Sequence, residues 1–89
     1  MYKVTDWLNF STVVVSHIKN YVIPQYGDRG EDPANGYTVS DCMTQIRRYT
    51  LRQGRNARPG QDELDLIKIA HYAQLAWYKL QEAKNEHNI

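Results

Sequence analysis

Apolar residues recur at three- and four-residue spacing in three stretches of the chain, and that period predicts three helices. In the first, over about residues 6–23, Trp7, Phe10, Val14, Ile18, Tyr21 and Val22 share a face, with Thr12, Ser16, Lys19 and Asn20 opposite. The β-branched run Val13-Val14-Val15 favours strand locally, but the sustained helical period outweighs it. Thr5 or Asp6 suits the start. Pro24 should end the helix, because the residue before a proline is pushed out of helical geometry. The second helix, 39–53, puts Val39, Cys42, Met43, Ile46 and Tyr49 on its apolar face and turns Gln45, Arg48 and Arg52 outward. Thr38 and Asp41 are spaced as a capping box, and Gly54 suits the C-terminal end. The third helix, 62–84, opens with Asp62, Glu63 and Asp65, acids that the positive end of a helix dipole favours.

This third helix carries two apolar stripes. Leu66, Ile69, Ala70, Ala73, Trp77 and Leu80 form one; Leu64, Ile67, His71, Leu75 and Tyr78 form the other. Gln74 and Gln81 divide them on one side, Lys68 and Lys79 on the other. One stripe is expected to pack on the other helices. The second, Leu64, Ile67, His71, Leu75 and Tyr78, then needs a cover, either the long loop or a second copy of the chain, since monomers avoid large exposed apolar patches. Residues 24–38 have no helical period and hold Pro24, Gly27, Gly30, Pro33 and Gly36, so they read as a long loop with room for a short hairpin. The expected fold is a mostly α, three-helix single domain spanning 1–89.

Composition narrows the function classes. The chain has 89 residues and a net charge of +1, so it is no general polyanion binder. One cysteine, Cys42, rules out an internal disulfide framework and a cysteine zinc site. There is no signal-like segment and no apolar run long enough for a membrane span, so a cytoplasmic protein is expected.

The charge is unevenly spread. Arg47, Arg48, Arg52, Arg55 and Arg58 follow one another with no acid between, leaving six basic residues against ten acidic ones elsewhere. The planar guanidinium fork suits phosphate and carboxylate, so this segment is a candidate contact for a phosphate-bearing ligand, an acidic protein or a nucleic acid. The alternative is a solvated face pairing with Asp28, Glu31 and Asp32. Asp62 and Asp65 share a helix face and, with Asp41, are weak metal candidates; helix-start and capping roles explain all three. His17, His71 and His87 lack ligand spacing. Tyr26 and Asp28, around Gly27, are candidate ligand contacts in the loop.

The order His17-Ile18-Lys19-Asn20, Tyr26-Gly27-Asp28, an arginine-bearing helix, then Ala70-His71-Tyr72-Ala73 resembles small bacterial and phage nucleotide-modification-associated helical domains, which are distantly similar to MazG-like all-α nucleotide pyrophosphohydrolases. The resemblance covers about residues 17–75 and implies an all-α fold and a nucleotide-related role. It also implies an acid at the position of Lys68, two before Ala70, and a pair of glutamates on the preceding helix. Neither is present. A magnesium-dependent hydrolase needs clustered carboxylates, and this chain offers cations instead.

The expected function is therefore a small non-catalytic binding or accessory protein, of phage or mobile-element type. It would use Arg47, Arg48, Arg52, Arg55, Arg58 and Lys68, with Tyr26 and Asp28, to contact phosphate groups or an acidic partner, and could act as a homodimer. No cofactor is expected. The alternatives are a pyrophosphohydrolase-like enzyme, which would need magnesium, and a nucleic-acid binder.

Overall fold

A computed structural model describes residues 2–30 and 32–87, apart from the side chains of Glu86 and His87. The expectations placed on Glu31 and on the His87 side chain lie outside the described residues. The protein is mostly α, with three long helices and no strand among the described residues. Helix α1 spans Tyr2–His17, a π-helical turn Ile18–Val22, and a further α-helical turn, α2, Ile23–Tyr26. After a loop containing a 3₁₀ turn at Pro33–Gly36 come α3, Val39–Leu51, and α4, Gln61–His87. The chain groups into two compact units, Met1–Gly36 and Tyr37–Ile89.

In the first unit the helical backbone runs through Pro24, where the sequence predicts a stop. His17 (φ −61°, ψ −45°) and Ile23 (φ −62°, ψ −47°) keep helical angles at both joins. The reason lies in the π turn. Proline has no N–H to give, and its ring crowds the carbonyl four residues back. A wider turn just upstream shifts the hydrogen-bond register, with the Ile23 N–H donating to the Ile18 carbonyl, so the helix widens where the ring must fit. The helix ends one turn later at Gly27, whose φ of 89° needs glycine's freedom. Its N-terminal end reaches Tyr2 instead of Asp6, because nothing from Tyr2 to Thr5 breaks a helix. The short hairpin for which the loop left room does not form among the described residues; the Asp32 carboxylate accepts from the Ala34 N–H (2.8 Å) at the head of the 3₁₀ turn.

The second unit is a pair of helices, α3 and α4. The expected capping box starts α3. The Thr38 N–H donates to Asp41 Oδ2 (2.8 Å), and the Asp41 N–H donates to Thr38 Oγ1 (3.1 Å). The helix ends at Leu51, two residues early, and Gly54 turns the chain with φ 77°. Gly60 (φ 79°) makes the second turn, into α4.

The face of α4 that meets α3 is neither predicted stripe. Asp65 and Ala76 are buried, with Lys68, Tyr72 and Lys79 half-buried on the same face. At 100° per residue this face lies between the two stripes, along the side that Lys68 and Lys79 mark. Leu66, Trp77 and Leu80, expected in the core, are about half exposed. From α3, Cys42 and Tyr49 are buried, whereas Met43, expected beside them, is exposed. The tyrosines give this core its width. Tyr72 stacks on Tyr49 (ring centroids 6.2 Å apart) and on Tyr37 (6.3 Å).

The capping box should matter measurably in so small a unit. Thr38→Ala should cost about 1 kcal/mol and lower the thermal midpoint by about 4–8 °C, while Thr38→Ser stays near wild type. Thermal melts followed by circular dichroism check this.

Candidate anion-binding site

The functional candidates converge at the corner where α3 turns into α4. Asp65 sits one turn into α4 and is fully buried. Arg52, at the end of α3, grips it at two points, Nε to Oδ2 and Nη2 to Oδ1, both 2.6 Å. Asn56 Nδ2 donates to the same Oδ2 (3.1 Å) and Gln61 Nε2 to Oδ1 (2.7 Å). Asp62 works beside it. Its Oδ1 accepts from the Gly54 N–H (3.1 Å) and from Asn56 Nδ2 (2.7 Å), and its backbone carbonyl accepts from Gln53 Nε2 (2.9 Å). Two carboxylates thus organise the whole connecting loop, and no buried side-chain polar atom is left without a partner among the described residues.

These contacts correct one expectation and redirect another. Arg52 does not point outward; its side chain is 36% exposed and serves the ion pair. Asp62 and Asp65 turn their oxygens toward N–H donors, the opposite of what a cation needs, and Asp41 is engaged in the capping box. Among the described residues no group of three or more His, Cys, Asp or Glu could hold a metal ion.

The cations gather on Tyr49. The Arg48 and Arg52 guanidinium carbons each lie 5.0 Å from its ring centroid, and the Lys68 ammonium lies 5.4 Å away. All are within cation–π range. Arg48 Nη2 also approaches the Tyr49 hydroxyl at 3.4 Å. Burial, reinforced by Arg52, Arg48 and Arg58, pulls the Lys68 amine below the ordinary lysine value, with Asp65 opposing. Arg52 is neutralised by Asp65, but Arg48, Arg58 and Lys68 form no ion pair among the described residues.

The remaining predicted residues are placed differently. Arg47 and Arg55 are exposed outside the ring cluster. Tyr26 and Asp28 flank Gly27 in the first unit, both exposed. Leu64, Ile67, His71 and Leu75 are half-buried along α4, and Tyr78 is exposed with its ring edge-on to Trp77 (4.9 Å). Sequence reasoning missed Tyr49 as the platform and Asn56 and Gln61 as carboxylate donors. The one available signal was the Asp62–Asp65 spacing directly after a turn rich in amide side chains. Comparison with family models, curated proteins and solved structures finds no significant match, and the likeness to nucleotide-modification-associated domains rests on its short motifs alone.

The Arg52 hydrogen bonds hold the Asp65 carboxyl well below the usual carboxylate range; burial works against them, and Gln61, Asn56 and the Arg52 charge add to them. A folded-state value below the unfolded one, roughly 3.9, stabilises the fold fully above about pH 4. That contribution is lost as pH falls through the folded value. Asp65→Asn should cost about 2 kcal/mol at pH 7 and flatten the acid limb. Urea titrations of both proteins from neutral to acid pH check this, and parallel acid limbs would count against it.

Proposed function

We propose that this chain is a non-catalytic binding module whose arginine surface takes a phosphate-bearing ligand. The observation that carries this reading is the convergence of Arg48, Arg52 and Lys68 on one tyrosine ring, of which Arg52 alone is held in an ion pair among the described residues. Bringing like charges together costs free energy, and an anion from outside would recover it. Arginine forks also fit carboxylates, so an acidic protein segment is the other occupant of the same surface. The compactness of the cluster favours phosphate, which concentrates two or more charges on one group. Hydrolysis is not part of the proposal, because the two acids beside the cluster serve as hydrogen-bond acceptors for the loop.

The test is a binding panel: pyrophosphate, adenosine triphosphate, a single-stranded oligonucleotide and polyglutamate. Arg48 and Arg58 are exposed, so Arg48→Glu with Arg58→Glu should leave helicity intact and weaken phosphate binding about tenfold or more. Binding of polyglutamate alone would shift the reading to an acidic protein partner. No binding to any member would refute it.

We further propose self-association along α4, on a specific observation. Leu66, Trp77 and Leu80 remain about half exposed along one flank of α4, an arrangement that a second copy would cover. Trp77→Glu should lower the sedimentation coefficient while preserving the helical signal. A wild type that sediments as a monomer through the high micromolar range removes this part of the proposal.

A further inference from the structure

Two helices bring cations that form no ion pair among the described residues to one ring: α3 supplies Arg48 and α4 Lys68. The loop between them is held by the Asp62 and Asp65 acceptors, so the spacing of the two is built into the fold. Arg52 commits its Nε and Nη2 to a two-point hold on Asp65, and both Asp65 oxygens are already filled. Positive charge is therefore left over at this corner, and it is preorganised.

A second observation bears on what kind of phosphate fits. Single-stranded nucleic acids bind through cationic grooves that track the backbone and through exposed aromatic faces that stack on bases. The aromatic ring at the centre of this cluster, Tyr49, is only 5% exposed. It anchors cations and offers no face to a base. The two arginines outside the cluster, Arg47 and Arg55, could extend a contact along a backbone, but they are not held against the ring.

Resting on the phosphate-binding reading above, we propose that Arg48 and Lys68 form a seat for one compact phosphate group, such as inorganic pyrophosphate or the terminal phosphates of a nucleotide. It is not a track for a phosphodiester chain. The Arg48 guanidinium supplies paired N–H donors, and the Lys68 ammonium supplies a point charge from a half-buried position where solvent screens it less. Arg52 and Asp65 act as positioning residues: they fix the corner without touching the ligand.

Isothermal titration calorimetry on the intact protein at fixed ionic strength tests the seat. The probes are inorganic pyrophosphate and, separately, a single-stranded oligonucleotide of about 12 nucleotides. Lys68→Met keeps a long unbranched side chain and removes the charge; Arg48→Gln changes an exposed position on α3. Each should weaken pyrophosphate binding about tenfold or more, whereas Arg47→Gln with Arg55→Gln should change it less than about twofold. If Lys68→Met fails to fold, Arg48→Gln decides alone. Oligonucleotide binding that depends on Arg47 and Arg55, with no pyrophosphate binding, would overturn the seat and leave the broader phosphate-binding reading standing. Silence from both probes would overturn both.

Discussion

Burying Asp65 sets the terms for the rest of the second unit. A lone carboxylate taken out of water costs several kcal/mol, and that cost is met only if its lone pairs are filled by good donors. Three side chains from three places do so: Arg52 at the end of α3, Asn56 in the loop and Gln61 at the start of α4. Each donor must come from a fixed backbone position. The requirement therefore dictates where α3 stops, how the chain turns through Gly54 and Gly60, and at what rotation α4 enters. An apolar side chain at position 65 would fill space without fixing any of these.

That constraint explains why the cations lie where they do. Once Arg52 reaches back to Asp65, its guanidinium lies over Tyr49, one helical turn earlier. Lys68, one turn after Asp65, approaches the same ring, and Arg48, adjacent in sequence, completes the group. A neutral, polarisable ring lets them approach without a second buried acid. The structural pair and the unneutralised charge are thus two results of one arrangement, and a substitution at Asp65 would disturb both.

Much of the fold is legible in the sequence, and the failures have a common cause. The 3.6-residue period locates α3 and α4 to within about three residues, and the Thr38–Asp41 spacing identifies the capping box. The rotation of α4 is not legible. Counting Asp65, Lys68 and Lys79 as solvent-facing assigns the contact to an apolar stripe, but a paired carboxylate and lysine stems can lie inside. The same assumption turns Arg52 outward. Pro24 misleads for a different reason: a change of helical register upstream is a backbone accommodation that no side-chain pattern announces.

The rotation has a further consequence for α4 as a surface. Had one apolar stripe packed on α3, the other would have faced away from it as a single band. With the contact centred on Asp65, Tyr72 and Ala76, both stripes flank the seam, and Gln74 lies on the far side between them. Along one flank, Leu66, Trp77 and Leu80 are about half exposed; along the other, Leu64, Ile67 and Leu75 are half-buried. The helix thus turns a face of mixed character, with Asp65 and two lysines beside Tyr72 and Ala76, to the internal contact and retains apolar area on its exposed flank. A core built around an ion pair and tyrosines needs less of that area than one built from leucines, so apolar side chains remain for association while the cations remain at the corner.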